Sequence, residues 1–190
     1  MIYLLDEPKT DTSHSRFMEC IISEHTAEQV LLIELSSSST VGDIKRILID
    51  LINTVRHTDI VFCPWVIPGN AKIDDLFDQL SDRCWVVAAA GNNNEPTDSW
   101  TPARANGSIV VGSLNKSGEK ASLSNYSNIK RLEWVPGTNY SVGWKTGSGT
   151  SVSSALYAAF LAESIRERDY SLISKLIEGQ KRKVLQELNS

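Results

Sequence analysis

Apolar residues fall into short dense runs separated by stretches with a spacing of three to four. Residues 2–5 form the first run, Ile2-Tyr3-Leu4-Leu5, closed by Asp6, Glu7 and Pro8. A run of that length ending in a breaker predicts a buried strand with an acid at its C-terminal end. Further strands are predicted over 30–35, from 60 to 62, over 85–90 and over 108–112, with shorter ones at 120–123 and 133–135. Phe17, Met18, Ile21 and Ile22 predict a helix opening at Ser13 or His14, with residues 11–13 supplying N-cap candidates. Val41, Ile44, Ile47, Leu48, Leu51, Ile52 and Val55 give a helical stripe, and Ile73, Leu76, Phe77 and Leu80 give another. Residues 147–162 read differently: a glycine-rich turn runs into the small residues Ser151, Ser153, Ser154, Ala155, Ala158, Ala159 and Ala162. They predict a tightly packed helix to about residue 168. Leu172, Ile173, Leu176, Ile177, Val184 and Leu188 predict an amphipathic helix at about 170–188.

Strands apolar on both faces, alternating with helices at short spacing, predict an α/β fold with a three-layer parallel sheet covered by helices on both faces. With 190 residues and no linker, the chain reads as a single domain, 1–190. In open sheets of this kind ligands bind beyond the carboxyl ends of the strands. Asp6, the Cys63-Pro64-Trp65 segment and Asn92 all stand at such ends.

Composition narrows the partners. A formal net charge of -4 argues against nucleic acid. No apolar run approaches the roughly 20 residues that span a bilayer, so no membrane partner is expected. The opening residues turn acidic too soon for a signal peptide. Cys20, Cys63 and Cys84 are odd in number and lack CxxC spacing, which predicts buried free thiols rather than disulfides or a zinc site. Asp74, Asp75 and Asp78 read as a solvated helix face and as partners of the helix dipole.

The chemistry gathers around Ser151. A serine at the first turn of a buried helix sits at the positive end of the dipole, where negative charge on an attacking oxygen is favoured. Taken alone, the segment favours reading Ser151 as a cap, because Gly-Ser-Thr turns before helices are common. Four stretches in chain order add to it: Tyr3-Leu4-Leu5-Asp6, His14 at a helix start, Val86-Val87-Ala88-Ala89-Ala90-Gly91-Asn92, and Ser148-Gly149-Thr150-Ser151. Together with Val110-Val111-Gly112-Ser113, Ser124-Asn125-Tyr126-Ser127 and Val135-Pro136-Gly137, they resemble the subtilisin-like serine proteases, which run acid, histidine, serine along the chain.

That resemblance implies a subtilisin-like fold and a serine endopeptidase. Ser151 would be the nucleophile, His14 the general base and Asp6 the residue that orients His14. Asn92 and the Ser151 N–H would be oxyanion donors. Pro64, Trp65, Ala89, Ala90 and Gly91 would form the substrate-binding segments, with Trp65 suited equally to a pocket or to the core. His25 follows a helix and His57 precedes a strand, so His14 is the base by position. Protein or peptide substrates are implied, with no metal and no cofactor.

The sequence also departs from the family's pattern. Asp6-Glu7-Pro8 stands where Asp-Thr/Ser-Gly is usual, and His14-Ser15-Arg16-Phe17 where His-Gly-Thr-His is usual. Pro64-Trp65-Val66 replaces a segment that pairs with substrate, and proline lacks the N–H donor. Only seven residues separate Asp6 from His14. A strand opening at Ile2 shows no pro-segment ahead of it, which gives the expectation of a cytoplasmic enzyme or of one whose pro-segment has been removed. A pruned groove points to limited proteolysis of few substrates. The rival reading is a catalytically weak or inactive binding module on the same fold. A serine hydrolase of another α/β type is a third, and it lacks the G-x-S-x-G elbow, because Gly149-Thr150-Ser151-Val152-Ser153 misses the second glycine.

Overall fold

The computed structural model describes residues 1–143, 145–169 and 171; the helix expected at about 170–188 lies outside them. In chain order the elements are β1 (Ile2–Asp6), α1 (His14–His25), β2 (Val30–Glu34), α2 (Val41–Thr54), β3 (Ile60–Cys63), β4 (Ile67–Pro68), α3 (Ala71–Ser81), β5 (Trp85–Ala89), β6 (Trp100–Thr101), β7 (Ile109–Leu114), β8 (Glu133–Pro136), β9 (Tyr140–Val142), β10 (Lys145–Gly147) and α4 (Thr150–Glu167). Six strands form one sheet in the order β2-β1-β3-β5-β7-β8. Every neighbouring pair in it is parallel, so all carboxyl ends lie along one edge.

Alternation along each strand sends neighbouring residues to opposite faces. Leu4, Phe62 and Val87 face α1 and α4, where they meet Phe17, Met18, Ile21, Val152 and Leu156. Leu5, Val61 and Val86 face the other way, onto Leu48 of α2 and Phe77 of α3. The three-layer α/β arrangement read from the sequence is the one present. α4 is buried nearly all round, and its alanines and serines let it lie close to the sheet and to α1. Two of its buried hydroxyls are taken by carbonyls: Ser153 Oγ donates to the Val135 carbonyl at 2.8 Å and Ser154 Oγ to the Thr150 carbonyl at 2.7 Å.

Three features differ from expectation. Residues 120–123 form no strand; Lys120 alone bridges to Leu114, and a turn closed by Ser124 N–H on the Ala121 carbonyl follows. Asp74 is not solvated but 6% exposed, with Thr101 Oγ1 donating to it at 2.6 Å and Arg104 Nε paired with it at 2.9 Å. Asp78 likewise accepts the Gly107 N–H at 2.9 Å, which leaves Asp75 on the exposed face. Two antiparallel pairs, β4–β6 and β9–β10, were not anticipated. The second matters for function, because β10 leads straight into α4.

Candidate active site

Asp6 ends β1 and is 6% exposed. Its two oxygens have separate partners: the Glu7 N–H donates to Oδ1 at 2.8 Å, and His14 Nδ1 lies 2.7 Å from Oδ2. His14 is the first residue of α1, whose N-cap is Ser13, with the Ser13 hydroxyl accepting from the Arg16 N–H at 3.1 Å. The His14 backbone N–H, one of the unpaired donors at the helix start, is taken by the Glu7 carboxylate. The acid and the histidine named from the sequence are therefore joined. The short 7–13 loop suffices, because the end of β1 and the start of α1 both lie at the carboxyl edge.

Ser151 stands in the first turn of α4, after the N-cap Gly149, and is 9% exposed. Gly149 has φ +128°, a conformation other residues rarely adopt, and a Cβ there would press on the Asn92 amide at 3.0 Å. Asn92 follows β5 and is tied to the same helix start. Its Oδ1 accepts from the Thr150 N–H at 3.0 Å and from Thr150 Oγ1 at 3.2 Å. Thr150 Oγ1 in turn accepts the Gly91 N–H at 3.1 Å. With Oδ1 held on Thr150, the Asn92 NH2 and the Ser151 N–H have no acceptor among the described residues. No hydrogen bond among the described residues joins His14 to Ser151. Their elements meet through Phe17, whose ring lies against Gly147 just ahead of the Ser151 turn.

The expected substrate segments lie at the same edge. Ala89, Ala90 and Gly91 are buried, and the Ala90 carbonyl is taken by Asn125 Nδ2 at 2.9 Å. Asn125 Oδ1 also accepts from the Asn93 and Glu95 N–H groups, so one side chain holds the whole turn that carries Asn92. Pro64 is buried. Trp65 donates Nε1 to the Leu5 carbonyl at 2.7 Å and sets its ring edge-on to Phe77 at 6.5 Å. That fixes it in the α3 side of the core, and its outer edge still lines a cavity beside Asp6. Behind the acid, burial pushes the Cys63 thiol well up, with the Asp6 charge adding to it, so Cys63 stays a neutral thiol.

Sequence reasoning passed over Thr150, Asn125 and Glu7 as parts of the site. Thr150 and Asn125 sit inside the quoted Gly-Thr-Ser and Ser-Asn-Tyr-Ser stretches, and a Thr or Asn beside a turn that must be immobilised was the available signal.

The Subtilase family model matches residues 67–182. Subtilisin-like protease 1 of Pseudogymnoascus destructans is 33% identical over 90 residues, 44% of this chain and 22% of that protein. A cuticle-degrading serine protease of Orbilia oligospora is 31% identical over 124 residues, 60% of this chain and 28% of that protein. The matches thus cover less than a third of either relative's length. Among solved structures, a cold adapted subtilisin-like serine proteinase matches with a TM-score of 0.70 at 18% identity, covering 93% of this chain and 79% of that one. The prenylagaramide maturation protease PagA matches with 0.67 at 15% identity, covering 94% and 80%. The family match begins at Ile67, so it includes Asn92 and Ser151, while Asp6 and His14 rest on the geometry above. More than half of the sequence matches the family model and the sheet has the same fold: the chain belongs to the subtilase family.

Proposed function

We propose that the protein is a serine endopeptidase in which Asp6, His14 and Ser151 form the catalytic triad. The observation that carries this reading is the 2.7 Å contact between His14 Nδ1 and the buried Asp6 carboxylate at the sheet edge that also presents Ser151. A carboxylate on Nδ1 keeps the proton there and leaves Nε2 as the base. His14 Nε2 takes the Ser151 hydroxyl proton as Oγ attacks the scissile carbonyl, then returns it to the leaving amine. Asp6 stabilises the imidazolium between the two steps. The oxyanion is received by the two unclaimed donors, the Asn92 NH2 and the Ser151 N–H, at the positive end of α4. Water, deprotonated by His14, then hydrolyses the acyl-enzyme. Hydrogen-bond reach between base and nucleophile is often looser before substrate binds, which suits the open His14–Ser151 link.

That same open link favours a second reading, a binding module that keeps the fold without efficient turnover. A fluorophosphonate probe separates them. Covalent labelling of the wild type, lost in Ser151→Ala and in His14→Ala, supports the triad. An unlabelled wild type that still binds peptides supports the module.

A further inference from the structure

Of the two strands at the edges of the six-stranded sheet, β8 ends in Pro136. The other, β2, runs Val30-Leu31-Leu32-Ile33-Glu34 without a proline, a lysine or a bulge, the features that ordinarily blunt an open edge. None of its five residues is buried, and Leu31 is 44% exposed. Topology explains the exposure. The connection from β2 through α2 to β3 passes over β1, which stands between those strands in the sheet, so α2 leaves its own side of β2 uncovered. A cavity of about 230 Å³ opens there, lined by Tyr3, Ile33, Ile47 and Leu51 with the exposed Asp50 and Thr54.

The backbone of β2 is only half used. The Gln29 carbonyl accepts from the Ile2 N–H at 2.9 Å and the Leu35 N–H donates to the Asp6 carbonyl at 2.7 Å, with Leu31 and Ile33 in register between them. Backbone groups alternate in direction along a strand, so those of Val30, Leu32 and Glu34 point away from β1. No hydrogen bond among the described residues takes them. A copy of the same strand fits this edge. Run antiparallel about a two-fold axis at Leu32, the outward residues pair with one another: Leu32 with the partner's Leu32, and Val30 with the partner's Glu34. Leu31 then meets the partner's Ile33, apolar on apolar, on the side that α2 leaves open. The charges agree as well. Val30 and Leu32 face α1 and α4, so the partner's Glu34 arrives on that face at the amino end of the sheet. Arg166 and Arg168 line a second cavity there, beside Glu28. Glu28 is paired with the Met1 ammonium and Arg166 with Glu163 and Glu167, whereas no described ion pair includes Arg168, which is left to receive the partner's Glu34.

We propose that the protein forms a two-fold dimer through the β2 edge, with a second copy of this chain as the partner and the two sheets joined into one. The role of Ser151 plays no part in this inference. The two carboxyl edges that carry Asp6 and Asn92 point opposite ways in such a dimer, and both stay open. A strip about 17 Å long and about 25 Å deep gives roughly 400 Å² per copy, about half of a standard interface, so the dimer is reversible, with a Kd of about 10–100 µM. The test is sedimentation velocity of the full chain from about 1 µM to about 500 µM, with Ser151→Ala to keep self-cleavage out of the concentrated samples. The expected result is a passage from monomer to dimer across that range. Leu31→Lys places a charge opposite the partner's Ile33 and should raise the Kd at least about tenfold. Leu31 is exposed in the single copy, so the melting temperature in dilute solution should not change. In the concentrated dimer the amides of Val30, Leu32 and Glu34 should exchange several-fold more slowly than in Leu31→Lys, while that of Ile33, bonded to β1, is equally slow in both. A monomer at every concentration overturns the proposal, the result expected if residues 172–190 or another protein cover this edge. So does a dimer that survives Leu31→Lys, or one whose three outward amides exchange as fast as in the monomer.

Discussion

At the residue scale the site depends on a few side chains that hold others still. Asn92 has one oxygen and two amide hydrogens, and the oxygen is spent on Thr150. If Asn92 is the oxyanion donor proposed, Asn92→Ala should lower kcat by about 10²–10³ with little change in KM, the cost of losing an oxyanion-hole donor in subtilisin. Thr150→Val keeps the shape and the backbone N–H on Asn92 Oδ1, but removes the second, hydroxyl donor to that oxygen and leaves the Gly91 N–H without its acceptor. We expect a fall in kcat of about tenfold together with about 1–3 kcal/mol of lost stability, measured by peptide hydrolysis and urea unfolding. The cysteines separate by burial. Burial, aided by Asp59, pushes Cys84 up to about 12, and Cys63 is fully buried, while Cys20 is half-buried. Iodoacetamide on the native protein should modify Cys20 alone, and Cys63 and Cys84 only after unfolding, as read by peptide mass mapping.

At the scale of elements, the altered flank of His14 finds its explanation. Phe17 stands where the family's usual His-Gly-Thr-His has its second histidine, and it is 3% exposed. The space comes from Gly147 at the end of β10, where any Cβ would run into the Phe17 ring. Gly147→Ala should destabilise by about 1–3 kcal/mol, and Phe17→Leu in the same chain should restore part of the loss in a thermal melt. Neither partner announces the other in the sequence, because they meet only when α1 lies along the turn before α4. The parallel strands and the stripes on α1, α2 and α3 were legible from period and run length alone. The places of Asp6 and Asn92 at strand ends and of Ser151 at a helix start were legible in the same way, since polar residues interrupt an apolar run there; the roles proposed for Asn92 and Ser151 came from the resemblance instead. β4, β6, β9 and β10 have two or three residues each, too few to show a period. The false strand at 120–123 alternates in type, but the Ser113 N–H beside it goes to the Ser124 side chain, which turns the chain away. Asp74 misled for a different reason: the Thr101 and Arg104 that cover it arrive from a distant loop.

Over the whole molecule, one sheet divides the core into two halves that share its strands. Leu48→Ala on one side and Leu156→Ala on the other should each cost about 2–5 kcal/mol. If the chain is a single domain, each variant unfolds in one urea transition seen alike by fluorescence and circular dichroism. The pH profile should show two windows. Burial holds His25 below its ordinary 6.5 against the opposing pull of Glu24, so the unfolded chain binds that proton more readily than the folded one. Stability therefore falls as pH drops below about 6.5 and levels off once the folded imidazole is charged; His25→Gln should flatten that part of a plot of Tm against pH. Glu163 behaves oppositely in origin: burial raises it, but the Thr26 and Arg166 hydrogen bonds outweigh this and hold it below its ordinary 4.5. Its contribution is complete above about 4.5 and is lost as pH falls through the lowered value, a separate and more acid step. The order of elements along the chain has a further consequence. α4 follows every strand of the sheet, while Asp6 and His14 come from the first strand and first helix. During synthesis the proposed acid and base leave the ribosome long before the serine they would serve. If the triad is as proposed, a nascent chain stays unarmed until α4 docks on the sheet, so that a half-made copy could not damage itself or its neighbours.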